Sequence, residues 1–177
     1  VNADCTNPEI VLKVDDLMQD DQALDRADKK EIALASYPLT FAGHVQWQGD
    51  VQLKVGETLG NPDKQWRIES FAIAWPEQIE GVDLVYSCDV DNIGRLPQSK
   101  LGGFVGTKAR ALPITGLSAK LTGVNAGKYD LVLQVMFSES GLRTIESDGQ
   151  LVKGIHQNEF LTGLNGLIRE KATVSGF

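Results

Sequence analysis

The sequence predicts an all-β fold, in which three degenerate copies of one unit close around a common axis behind an acidic N-terminal arm. Three observations carry this. From Tyr37 onward, runs rich in Val, Ile, Leu and aromatics alternate with polar residues and end at glycine-bearing turns, the pattern of half-buried strands. Three sets of landmarks recur in step: glycines at 49, 94 and 141, glycines at 56, 102 and 149, and apolar anchors at 68, 114 and 161, with every spacing between 45 and 47 residues. Beyond the arm, no long stretch shows helical periodicity, which removes a βαβ architecture.

Residues 1–36 read as an acidic arm or linker. They hold nine Asp and Glu against four Lys and Arg, most of the excess behind the chain's formal charge of −7. Glu9–Val14 reads as a short extended segment. Asp20–Leu34 reads as a short helix, because Asp residues stand at its start, Lys29 and Lys30 stand late, and Leu24, Ala27 and Glu31 share one face.

Residues 37–177 form the three-copy domain. The first copy, about 41–83, contains the expected strands Thr40–Trp47 and Trp66–Trp75, with Gly49, Leu53-Lys54-Val55-Gly56 and Ile68 as landmarks. The second, about 84–130, begins in the strand Val82–Val90 and continues through Asp91-Asn92-Ile93-Gly94, Leu101-Gly102 and Ile114. The third, about 131–177, begins in the strand Tyr129–Phe137 and continues through Glu139-Ser140-Gly141, Asp148-Gly149 and Leu161. Glycine at fixed points in a repeated unit marks backbone that a Cβ would obstruct, either by a left-handed turn or by a close strand approach. No copy can bury its apolar face alone, so three around one axis is the expected solution. A β-prism is favoured because the strands lie close together within a copy, and a β-trefoil is the alternative.

Composition limits the function. The negative charge and the absence of any Lys/Arg run disfavour nucleic acid and electrostatic membrane docking, and no apolar stretch has the length of a membrane span. The start Val1-Asn2-Ala3-Asp4-Cys5 has no initiator Met and reads as a processed chain or a fragment, with a removed signal peptide in keeping. Cys5 and Cys88 are the two cysteines, and a disulfide joining arm to core is one reading while two unrelated thiols is the other.

No phosphate-binding loop, dinucleotide fingerprint, nucleophile elbow or zinc-protease motif occurs, and the expectation is a binding protein rather than an enzyme, without cofactor or metal. His44 and His156 fall at unrelated positions of the copies. Asp89, Asp91 and Asn92 place three oxygen side chains in four residues, but the rest of a calcium loop is absent, so a polar strand end is the better reading. The candidate binding surface is the turn after the first strand of each copy. It carries Trp47, Gln48 and Asp50 in the first copy, Asp91, Asn92 and Arg95 in the second, and Glu139 in the third. Tryptophan beside carboxylates and amides suits a sugar, whose ring stacks on the indole while its hydroxyls are hydrogen-bonded. Of Trp66 and Trp75, at least one is expected to be core.

Residues His44-Val45-Gln46, Asn92-Ile93-Gly94, Gly106-Thr107, Asp148-Gly149 and Ile68–Ile73 resemble parts of the clostridial hydrophobic repeats with a conserved tryptophan, over about 135 residues. The position after the first glycine, where that family has its tryptophan, here holds Asp50, Arg95 and Leu142. The resemblance implies a substrate-binding or adhesion module of a secreted or surface-attached bacterial protein, and with the tryptophan-bearing turn the expected partner is a glycan or a cell-surface receptor. A carbohydrate- or cell-surface-binding module is therefore the leading expectation. A receptor-targeting domain of a larger toxin or pore-former and a structural or assembly protein are the alternatives.

Overall fold

The computed structural model describes residues 34–145 and 149–172. The chain divides into two compact units, 1–35 and 36–177, and the architecture below is that of the second. The extended segment expected at 9–14, nearly all of the helix expected at 20–34, and Cys5 lie outside the described residues, as do Ser147 and Asp148.

The described part of the second unit is built of antiparallel strands, with one short 3-10 turn at Ala126–Lys128 and no α-helix. Sheet I has the order β9-β5-β2-β3, from Phe104–Gly106, Ile68–Ala74, Thr40–Val45 and Gly49–Gln52. Sheet II has the order β13-β10-β6-β7, from Val152–Lys153, Ile114–Thr122, Asp83–Val90 and Gly94–Arg95, and β8 (Ser99–Lys100) also pairs with β6. Sheet III has the order β12-β11-β14-β1, from Gly141–Ile145, Tyr129–Phe137, Leu161–Glu170 and Ser36–Pro38, and β4 (Leu59–Gly60) also pairs with β14.

Each sheet is thus organised on one long antiparallel pair, β2/β5, β6/β10 or β11/β14. One strand of the pair folds back as a hairpin with β3, β7 or β12. The other receives a short strand from a distant part of the chain: β9 on β5, β13 on β10, and β4 on β14. A register shift interrupts each long pair near its hairpin end, leaving Glu69, Thr115 and Thr162 as the extra residues.

Strand burial follows the period of two. In β2, Phe41 and Val45 face inward while Thr40, Ala42 and His44 face out, and in β11 Leu131, Leu133, Val135 and Phe137 are the inward set. The inward residues of all three sheets merge into one apolar core. At its centre the rings of Tyr86 and Phe71 stack with centroids 5.7 Å apart. The Tyr86 hydroxyl donates to the Gly103 carbonyl at 2.5 Å and accepts from the Ile73 amide at 3.0 Å, tying sheet II to sheet I. Burial, partly offset by these bonds, raises the Tyr86 pKa. Among the described residues Cys88 pairs with no other cysteine; it has no exposed surface, and burial, reinforced by the neighbouring Asp89, pushes its thiol up to about 12.

Trp75 is buried against Tyr37, whose ring centroid lies 6.1 Å away, and its indole Nε1 has no hydrogen-bond partner. Trp66 precedes β5 in a turn, half-buried, with the Lys64 ammonium 4.9 Å from its ring. The expected strand from Trp66 to Trp75 therefore runs only from Ile68 to Ala74, because Asn61 and Trp66 form an isolated bridge that turns the chain before Ile68.

Candidate functional site

The sequence-selected residues stand on three hairpins, one in each sheet. The β2–β3 turn is closed by the Gln48 amide donating to the Val45 carbonyl at 3.0 Å, and the β6–β7 turn by Ile93 donating to Val90 at 3.0 Å. Each tip is moored to the start of the neighbouring long strand, through Gln46 to Arg67 at 2.9 Å, Asp91 to Pro113 at 3.0 Å and Ser138 to Phe160 at 3.0 Å. The third residue of the first two turns is left-handed, Trp47 with φ 70° and Asn92 with φ 67°. Asparagine takes this conformation readily, whereas for a bulky side chain it is an outlier. Trp47 is also 78% exposed.

Trp47 and Gln48 project from one tip, and Asp50 lies two residues down its outgoing strand. The Asp50 carboxylate accepts from His44 Nδ1–H at 2.8 Å, the other His44 nitrogen lies 3.8 Å from Glu69, and Glu69 in turn takes the Arg67 Nε–H at 2.8 Å. Asp50 is held below the ordinary carboxylate range by the His44 hydrogen bond and then by the charge of Lys108. It is therefore an ionised, mostly exposed acceptor.

The second and third hairpins differ. Arg95 donates to Asp89 at 2.5 Å, and Lys153 lies 3.7 Å from the other oxygen of the same carboxylate, so the Arg95 head is engaged within the protein. Asp91 lines a hollow of about 590 Å³ with Thr115, Lys153, His156 and Asn158. At the third tip it is the backbone of Glu139 that is held: the amides of Glu139 and Ser140 and the Ser140 hydroxyl all donate to Glu159 Oε1, at 2.8, 2.6 and 2.9 Å. The His156 amide donates to Glu159 Oε2 at 2.7 Å. Burial opposes the Glu159 charge, but these donors outweigh it and bring its pKa down to about 2. Glu159 is a clamp on this hairpin.

Asp50 and Asp91 line separate hollows on different sheets, so the candidates do not converge on one site. The outer face of sheet I carries residues that sequence reasoning passed over. Directly opposed residues of antiparallel strands share a face. One outward row runs Phe104, Ala72, Ala42, Gln52 and the next runs Gly106, Ser70, His44, Asp50. The small residues of these rows floor a groove. Its deeper part, about 490 Å³, is bounded by Asp50, Gln52, Phe104, Thr107 and Lys108, and an adjoining hollow of about 230 Å³ reaches Thr40, Ala74 and Gly102. Phe104 is 61% exposed, and the Thr107 hydroxyl oxygen has neither water contact nor a partner. The pairing of β9 with β5 is what brings Phe104 to this face, and nothing in the local sequence around Phe104 announces it.

The corresponding rows of the other sheets are occupied differently. Ser87 and Ser118 bond one another at 3.0 Å on sheet II, and Met136 and Leu142 lie side by side on sheet III. No family model, curated protein or solved structure matches this chain.

Proposed function

We propose that residues 36–177 are a threefold β-prism of three copies and that this domain is a carbohydrate- or cell-surface-binding module. The cyclic exchange of short strands supports the prism: the first copy lends β4 to the third, the second lends β9 to the first, and the third lends β13 to the second. Backbone geometry repeats with the same period. Glycines 49, 94 and 141 have φ of 82°, 92° and 75°, and Gln65, Ala111 and Asn158 have φ of 55°, 56° and 69°. The extra residues 69, 115 and 162 keep the period too.

The observation that carries the binding function is Trp47. A large aromatic residue held left-handed costs backbone energy, and at 78% exposed its indole gains almost no burial in return. Its counterpart Asn92 shows that the turn forms without it. A ligand that stacks on the indole accounts for its retention, and sugar rings and receptor surfaces both do so.

The test is Trp47→Asn, with binding to a glycan array and to intact cells read beside thermal unfolding. The fold should gain about 1 kcal/mol, because asparagine tolerates the conformation that tryptophan resists. Binding should fall at least about tenfold, the usual consequence of truncating an aromatic anchor. A variant that binds as well as the parent would remove the main support for the function.

A further inference from the structure

We propose that the outer face of sheet I holds an internal stretch of an unbranched polysaccharide laid along β2 and β5, with Phe104 stacking on a sugar ring and Asp50 and Gln52 bonding its hydroxyls. The proposal rests on the carbohydrate reading above and gives it a second contact surface and a ligand class.

Ala42, Ala72, Ser70 and Gly106 keep the floor low, while the outward His44 of the same row leans to the rim, bonded to Asp50. A flat, elongated ligand can lie on it where a bulky one would gain few contacts. The two hollows share Ala42, Gln52 and Phe104, and they continue one another along the strands from Lys108 to Gly102. From Ser70 to Ala74 alone the strand covers about 13 Å. A pocket for a terminal sugar closes around one end of its ligand, whereas this trough passes a chain through.

Chemistry selects a sugar chain over a peptide. An extended peptide gains its affinity by hydrogen-bonding a free strand edge. Here the groove lies over β2 and β5, whose backbones are already paired to each other, so side chains do the recognising. They are an ionised carboxylate, an amide and an ammonium, set beside an exposed aromatic ring. One Asp50 oxygen is taken by His44 and the other is left to accept from a sugar hydroxyl, while the amide of Gln52 both donates and accepts. The unpartnered Thr107 hydroxyl has no bond to lose by turning into the trough.

The test uses affinity electrophoresis of the whole chain in gels containing hydroxyethyl cellulose, xylan, mannan, polygalacturonate or hyaluronan. Titration calorimetry then follows with oligosaccharides of the polymer that retards it. Affinity is expected to rise about tenfold or more from mono- to tetrasaccharide, and Phe104→Ala and Asp50→Asn are each expected to lose about tenfold. Val124→Ala, on a loop residue 91% exposed and far from these rows in sequence, serves as the control and should bind as the parent. Circular dichroism establishes that the variants fold, as the exposure of Phe104 leads one to expect. Monosaccharide binding as tight as tetrasaccharide binding would overturn the internal-stretch proposal. Binding lost in Trp47→Asn but kept in Phe104→Ala and Asp50→Asn would overturn the groove while leaving the carbohydrate reading intact. Failure of every polysaccharide and every arrayed glycan would overturn both, and capture of displayed peptides sensitive to Phe104→Ala would assign the groove to a peptide instead.

Discussion

Glu159 shows how much one side chain can organise. Its carboxylate receives three backbone amides and one hydroxyl, so it holds the β11–β12 tip and its own loop together. One and two turn spacings earlier in the chain stand Leu112 and Trp66, whose side chains pack against the core. The Glu159 pKa lies near 2, against an ordinary value of 4.5. A depressed acid contributes stability that is complete above pH 4.5 and disappears as pH falls toward 2. Glu159→Gln should cost about 2 kcal/mol at neutral pH, through loss of charge-assisted bonds. It should also flatten the stability profile over that acid interval, measured by urea unfolding at several pH values. An unchanged slope in the variant would show that the acid sensitivity arises elsewhere. Sequence alone did not single out Glu159, because its role depends on meeting residues 139 and 140, some twenty positions away. Trp47 was legible, since a tryptophan in a polar turn stands out without a structure.

At the scale of single strands, two glycines separate the reasons for being glycine. Gly49 has φ 82° and open space where a Cβ would go, so its requirement is conformational. Gly60 has φ 98°, and a Cβ there would strike the Thr162 carbonyl of the strand it joins. Gly49→Ala should therefore cost about 1 kcal/mol, the backbone penalty alone. Gly60→Ala should cost about 2 to 4 kcal/mol, because a collision with main chain adds to that penalty. Chemical denaturation of both variants makes the comparison, and equal losses would mean that β4 and β14 move apart freely. The alternation in β2, β6 and β11 was readable from sequence to within two or three residues of the observed ends. The strands β10 and β14 were marked in the sequence only by their apolar anchors Ile114 and Leu161, and glycines 116, 163 and 166 interrupt their apolar pattern. A Cβ at Gly116 would meet β13, one at Gly166 would meet Leu133 and the Val132 carbonyl of β11, and one at Gly163 would meet the Pro62 ring and the Met136 side chain.

Across the whole second unit, closure is the governing fact. Gly60 pairs with Gly163, joining the beginning of the domain to its end, while Tyr86 and the common core tie sheets I and II. Sheets that share one core and lend one another strands should unfold together. Tryptophan fluorescence, whose change comes from the buried Trp75 and the half-buried Trp66, and far-UV circular dichroism, which reports all strands, are expected to give superimposable urea transitions. Two separated midpoints would show that the sheets melt independently. The sequence by itself determined the all-β class, the spacing of the turns and the exposed hairpin with Trp47, because these follow from local periodicity and from backbone conformations that only certain residues adopt. Tertiary structure decided which short strand joins which sheet, the clamp at Glu159 and the trough beneath Phe104. Those depend on contacts between residues far apart in the chain, and no local pattern encodes which of several compatible strand edges will meet.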